Sequence, residues 1–242
     1  MRKSIAAALV AASAATAACN GHGVESGGPT VSRNYEVGNF QQVEVAGPYE
    51  VQVTTGGNPS VSARGSQNLL AHTIVEVKDG KLEIHPEHQG GMFNFGHSVR
   101  GTAQFTVTVP QLSGAAIAGS GDLNVDHVRG DSFAGNVAGS GGLNVGTVDV
   151  KSLKLSIGGS GNLKAGSGSA QTAEFNIGGS GDIDAGGVTS QQAKASIAGS
   201  GSIKARATGS ADVSIMGSGD IELTGGAKCN VSKMGSGTAN CS

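Results

Sequence analysis

A single triplet, Gly-Ser-Gly, recurs through the second half of the chain and restricts the fold more than any other feature. Its serine falls at Ser120, Ser140, Ser160, Ser180, Ser200, Ser218 and Ser236, a spacing of 20 residues four times and then 18 twice. A fixed period of this length marks a repeat architecture. Three residues before the serine stand Ile117, Val137, Ile157, Ile177, Ile197 and Ile215, and three after it Leu123, Leu143, Leu163, Ile183, Ile203 and Ile221. The positions five away on either side are also mostly apolar, with Ser, Asn, Lys, Asp or Glu between them. Alternation of period two on both sides of a glycine turn reads as strand, turn, strand. Glycine suits the turn because it accepts positive φ without steric cost.

One such repeat cannot bury its own apolar face, whereas stacked repeats can. The predicted fold is therefore all-β, a parallel β-helix or β-solenoid with coils of about 20 residues, each rising about 4.8 Å. Isoleucines form one internal row and leucines another. The seven serines form a corner row whose hydroxyls can bond along the stack, a turn ladder rather than a catalytic set. The 18-residue repeats are expected to keep both strands and shorten the far turn.

Composition agrees. Of 242 residues, 42 are Gly, but no Gly-X-Y period exists, which excludes collagen. Net charge is −2, and −4 without the two positive charges of Arg2 and Lys3. No basic patch is visible, so nucleic acid is not an expected partner.

Residues 1–18 read as a secretion signal: Arg2 and Lys3, an apolar Ala-rich run from Ile5 to Ala15, then small residues before Cys19. Thr16-Ala17-Ala18-Cys19 is similar to a bacterial lipobox, although Thr16 stands where leucine is usual. Cleavage after Ala17 is the alternative. The chain has three cysteines, and Cys229 with Cys241 makes a natural pair, which leaves Cys19 for lipidation. Residues 19–33 are expected to be a lipid-anchored tether, without periodicity.

Residues 34–110 are β-rich but irregular. A turn at Gly47-Pro48, one helical turn near Asn68, and a hairpin of Ile74–Val77 with Leu82–Ile84 around Asp79-Gly80 are predicted. Gln89 to His97 reads as a polar loop. Two readings of the section fit the residues: a cap over the first coil, or irregular early coils. The regular solenoid follows over 111–242. In its last coil, Cys229 and Cys241 both take inward positions. A bridge between them closes a short loop and contributes about 3 kcal/mol by loop-closure entropy.

The linked set Phe40, Val43, Val45, then Gly47-Pro48-Tyr49-Glu50-Val51, Gly80-Lys81-Leu82-Glu83-Ile84, Val107-Thr108-Val109-Pro110, and the Gly-Ser-Gly repeats resembles the bacterial "putative auto-transporter adhesin, head GIN domain" family over roughly 34–242. The resemblance implies an exported, often lipid-anchored β-solenoid with no assigned reaction. No translocating barrel segment is present.

Chemical constellations are sparse. Gly178-Gly179-Ser180-Gly181-Asp182 is similar to a calcium-binding nonapeptide, but the position two after each serine reads Asp122, Gly142, Asn162, Asp182, Ser202, Asp220 and Thr238. Three acids in seven fit turn formers better than a metal cage. His72, His85, His88 and His97 read as solvated, so no metal and no cofactor is expected. Asp182 with Asp184, and Asp220 with Glu222, sit two apart and face outward together. Such pairs are the usual polar side of a strand, and carboxylate catalysis is the lesser reading. The expectation is a non-catalytic, outer-membrane-anchored lipoprotein that offers a flat polar face to a glycan or protein. A periplasm-facing structural component, or a glycan-active enzyme, is the alternative. Oligomeric state, ligand and membrane face are not legible.

Overall fold

The structure is a computed structural model that describes residues 28–87 and 101–242. The expected signal, Cys19 and the loop from Gln89 to His97 lie outside the described residues.

The chain begins with β1 (Thr30–Tyr35), β2 (Gln42–Ala46), β3 (Glu50–Thr55) and β4 (Ser60–Ser66), then a single helical turn α1 (Gln67–Ala71). β5 (Thr73–Lys78), β6 (Lys81–Pro86), β7 (Ala103–Val109) and β8 (Gly114–Gly119) follow. Each of β9 (Asp122–Gly139), β10 (Gly142–Gly159), β11 (Asn162–Gly179), β12 (Asp182–Gly199) and β13 (Ser202–Gly217) then runs unbroken from one Gly-Ser-Gly to the next. β14 (Asp220–Thr224), β15 (Lys228–Met234) and β16 (Thr238–Cys241) end the chain.

The 20-residue period is the pairing register. Leu143 lies beside Leu123 and Leu163, and Ile157 beside Val137 and Ile177, all in parallel. The result is a β-solenoid of about 6 turns. The rows of Ile, Leu, Val and Ala are buried in one continuous core.

Each coil has three paired segments, not the two strands that alternation suggests. In β10, Gly146 and Thr147 are both turned from the core, as are Lys151 and Ser152, and between these bends Val148 and Val150 point inward. The segment predicted as a far turn is thus a third strand segment, stacked as Val128, Val148, Gly168 and Val188. Two consecutive outward residues break the period-two pattern and hide the segment from a search for alternation. The 18-residue coils lose their two residues here, where the β12–β13 register shifts between Ala185 and Gln192.

Side chains on the widest segment trade size within a coil. Phe133 sits with Gly135, Leu153 with Leu155, and Ala173 with Phe175, so a bulky residue is offset by its neighbour. A Cβ on Gly135 would come within 2.9 Å of the Leu143 and Leu155 side chains. Close packing of this kind leaves no room for an added methyl group.

The N-terminal section combines both readings that the residues left open. β2 and β3 form a coil in parallel register with β8 and β9: Val43 pairs Ala115 and Val51 pairs Leu123. β6 and β7 form a further coil, parallel to β2 and β3. Antiparallel strands then close the outer edge, β5 on β6, β4 on β7 and β1 on β4. Residues 30–33, expected as tether, are part of β1; pairing with β4 satisfies backbone groups that a tether would leave to water. The predicted helical turn is α1, and the hairpin turn sits at Asp79 and Gly80, both with positive φ. The order in space differs from the order in the chain: the 42–55 coil lies between the coil of β6 and β7 and the coil that starts at β8.

At the other end, β15 and β16 pair with no strand beyond them among the described residues. Lys233 takes the place held by isoleucine in earlier coils and is exposed. A charged residue in that row discourages a further strand from adding to the edge. The Cys229–Cys241 disulfide ties β15 to β16, and both cysteines pack on the core.

Candidate functional site

The triplets are a structural corner. The first glycine of each, from Gly119 to Gly235, has φ between +122° and +139°. From Gly139 onward, a Cβ there would lie well under 3.0 Å from the carbonyl oxygen of the equivalent glycine in the previous coil. The second glycine meets the same obstacle, since from Gly141 onward its Cβ would lie 2.1–2.6 Å from the carbonyl oxygen of the equivalent glycine one coil earlier, and a side chain adds to it. From Gly141 to Gly237, its Cβ would come within 2.6–3.0 Å of the Ile or Val methyl that precedes the turn one coil earlier. The serine between them is exposed at all seven positions. Its amide carries the stacking bond: Ser140, Ser160, Ser180, Ser200 and Ser218 each donate N–H to the first glycine of the coil before, at 2.9 Å. The stack is therefore held through the backbone rather than through the hydroxyls.

Beside this corner, two outward columns run along the solenoid. The first reads Glu50, Asp122, Gly142, Asn162, Asp182 and Ser202, and the second Gln52, Asn124, Asn144, Lys164, Asp184 and Lys204. Gly142 lacks a side chain where its neighbours have one. The gap is the floor of an open groove of about 440 Å³, walled by Glu50, Asp122, Asn144, Asn162, Lys164 and Asp184. Four carboxylates, counting Asp182, face one ammonium in its lining. The groove can accept hydrogen bonds from a ligand rich in donors, and it offers no aromatic surface. The signal was present in the sequence, since Gly142 is the only glycine in the position two after the serine.

The outward aspartates bond between coils. Asp182 Oδ1 accepts from Ser202 N at 3.1 Å and Ser202 Oγ at 2.5 Å. Asp220 Oδ1 accepts from Thr238 N at 3.1 Å and from its hydroxyl. None of these aspartates belongs to a group of three metal-ligating side chains within mutual reach among the described residues. Asp184 accepts from Gly186 N, so it too serves its own bend.

One further polar cluster resembles a nucleophile relay. Thr55 Oγ1 lies 2.9 Å from His127 Nε2, and His127 Nδ1 lies 3.2 Å from Asp126 Oδ2. The Asp126 carboxylate, however, accepts from the backbone N–H of Thr55 at 3.1 Å and of His127 at 2.6 Å. The Thr55 hydroxyl is also 2.9 Å from the His127 carbonyl. These bonds fasten the end of β3 to the first bend of β9, which is a corner lock. Elsewhere His72 Nδ1 lies 3.4 Å from Glu87, and His85 Nε2 lies 3.5 Å from Glu76. No helix among the described residues is long and apolar enough to cross a membrane.

The family described as "putative auto-transporter adhesin, head GIN domain" matches residues 39–227. Among solved structures, a "putative adhesin" from Bacteroides fragilis is 27% identical, with a TM-score of 0.79, over 88% of this chain and 97% of that one. A protein from Parabacteroides distasonis described as a "putative lipid binding protein" is 26% identical, with a TM-score of 0.71, over 89% and 97%. A "putative adhesin" from Parabacteroides merdae, 20% identical with a TM-score of 0.71 over 90% and 98%, shares the fold. No curated protein matches the chain.

Proposed function

The chain belongs to the "putative auto-transporter adhesin, head GIN domain" family, and from that premise we propose that it is an exported, non-catalytic binding module that presents the Gly142 groove to a polyhydroxylated glycan. The observation that carries this reading is the single missing side chain in an otherwise continuous outward ladder. Across Gly142, Asp122 and Asn162 stand two coils apart, about 9–10 Å, which is room for a sugar ring. Carboxylates and amides at that spacing accept from and donate to ring hydroxyls. Without an aromatic platform each contact is weak, so adhesion depends on many copies acting together. Four carboxylates and one ammonium around the groove suit hydroxyl groups better than an acyl chain, so the lipid binding named for the P. distasonis protein is not carried over. Cys19, lipidated after removal of residues 1–18, would hold the module to the outer membrane.

Gly142→Asn tests this. Asparagine occupies the equivalent position in the next coil as Asn162, so the variant completes the ladder without a new backbone conformation, once the Asp122 carboxylate, whose Oδ1 lies 2.7 Å from where the Cβ would stand, has swung aside. The expected result is retention of the wild-type chain on at least one immobilised polysaccharide, and at least a ten-fold loss in the variant, with circular dichroism and melting unchanged. Equal retention by the variant, or no retention of the wild type, would sink the proposal. An antibody to the folded protein, applied to intact cells, tests orientation. Labelling only after the outer membrane is opened would favour a periplasm-facing structural component instead.

A further inference from the structure

The β5–β6 hairpin at the N-terminal edge gathers a set of groups that the repeat coils lack. Glu76 and Glu83 are direct cross-strand partners, and Glu83 in turn pairs with Glu44 of β2, so three glutamates lie in one row across three strands. Like charges directly opposite each other repel and need a cation between them. Lys81 Nζ lies 2.7 Å from Glu44 and 3.6 Å from Glu83. Lys78 lies 2.5 Å from Glu76. On the opposite side of the row from Lys81 stands His85.

His85 is held in a defined state. Its Nδ1 is 2.9 Å from the carbonyl oxygen of Pro86, and a carbonyl only accepts, so Nδ1 carries the proton of this bond. In the neutral ring the lone pair is then on Nε2, which lies 3.5 Å from Glu76 Oε1. That places a ring nitrogen and a carboxylate oxygen where one metal ion can be shared between them. Donation of the second ring nitrogen to a carbonyl is also the arrangement that orients histidine as a metal ligand. The ligand atoms of Glu76, Glu83 and His85 all lie within 4.8 Å of one another, and all three residues are half-buried.

We infer that Glu76, Glu83 and His85 form a binding site for a divalent transition metal of the zinc class, which staples the N-terminal hairpin. One nitrogen and two carboxylate oxygens are a ligand set that zinc accepts, with water completing a tetrahedron. Metal–ligand bonds of about 2.0–2.2 Å put ligand atoms about 3.3–3.6 Å apart, so the side chains need to close by roughly 1 Å. Rotation of the two glutamates about their own bonds suffices. The Lys78 ammonium on Glu76 is exposed and the Lys81–Glu83 contact is long, at 3.6 Å, so both pairs contribute little and are displaced at small cost. The site would then do for the first end of the solenoid what the Cys229–Cys241 bridge does for the last.

The test uses the exported chain without an affinity tag, titrated with zinc chloride by calorimetry and then melted with and without zinc. One zinc per chain is expected, with a rise in melting temperature. Glu83→Gln and His85→Ala should each weaken binding at least ten-fold and abolish the rise. His72→Ala should leave both unchanged, because His72 faces Glu87 rather than this row. Cobalt should give an absorption band of low-coordinate geometry in the wild type and not in His85→Ala. Circular dichroism of each variant in the absence of metal establishes that it has folded. An absence of zinc binding in the wild type, or equal binding by the two ligand variants, would overturn the assignment.

Discussion

The section between Thr30 and Val109 shares two of the three parallel faces of the coils between Gly119 and Gly217, yet the two regions are built by opposite rules. In the repeat region each coil rests on the one before it in the chain, and the register equals the sequence period. In the N-terminal section the 42–55 coil is held between strands from 81–109 on one side and 114–125 on the other. Even the corner changes: Gly47-Pro48-Tyr49 stands where later coils have Gly-Ser-Gly, and Gly47 keeps the positive φ. The Tyr49 ring is buried, packs edge-on against Phe105 with centroids 5.5 Å apart, and its hydroxyl lies 3.0 Å from Thr73 Oγ1. Repetition lets a coil depend only on its neighbours, whereas the cap depends on contacts between distant residues.

Deleting one unit from each region should break this comparison most sharply. Removal of 180–199 joins Gly179 to Ser200 and leaves equivalent residues in register, so a shorter folded solenoid is expected, with a reduced denaturation midpoint. Removal of 42–55 takes away the layer between two others, and no cooperative unfolding transition is expected. A folded product from the second deletion would show that the cap is as modular as the coils.

Single glycines should separate the regions on a smaller scale. Gly179→Ala sets a methyl group against the Gly159 backbone, in addition to its positive φ of 135°. A loss of at least about 3 kcal/mol in chemical denaturation is expected, since neither backbone can give way. Gly80→Ala also meets a positive φ, 75°, but has open space around it. Its cost should be only about 1–2 kcal/mol, that of the left-handed conformation alone. Similar losses at the two positions would argue against stacking as the reason for the triplet.

The smallest effect concerns alkaline pH. Tyr35 and Tyr49 are the only tyrosines and both lie in the N-terminal section, where burial pushes their phenols above the ordinary value. The folded state then holds these protons more tightly than the unfolded chain, which releases them near about pH 10. Stability contributed by the neutral phenols is intact below that pH and declines above it. Hydrogen exchange at rising pH, corrected for intrinsic rates, should therefore show the cap loosening before the coils. Tyr49→Phe should shift that onset upward, and uniform loosening along the chain would contradict the account.

Much of the solenoid was legible because each clue was repeated. Seven triplets reveal a period that one could not, and rows of Ile and Leu mark the core side of two segments. Val148 and Val188 escaped notice because paired outward residues flank their segment. The cysteine pairing was readable from two inward positions in one coil. Of the candidate sites, Gly142 was visible as a gap in a list, but its meaning as a groove required neighbouring coils to supply walls. Glu76 and Glu83 are equidistant from the Asp79-Gly80 turn, so their pairing followed from hairpin geometry. Their approach to His85 did not, because side-chain direction on an irregular edge depends on what packs beneath it.

The sequence by itself determined the period, the glycine corner, the inward rows and the closing disulfide, since each follows from local geometry repeated at a fixed interval. Only the tertiary structure decided that residues 42–55 lie inside rather than at the end, that residues 30–33 are strand, and that Glu76, Glu83 and His85 meet on the first hairpin. Those outcomes rest on contacts between residues far apart in the chain, where no local pattern records which partner satisfies which backbone edge.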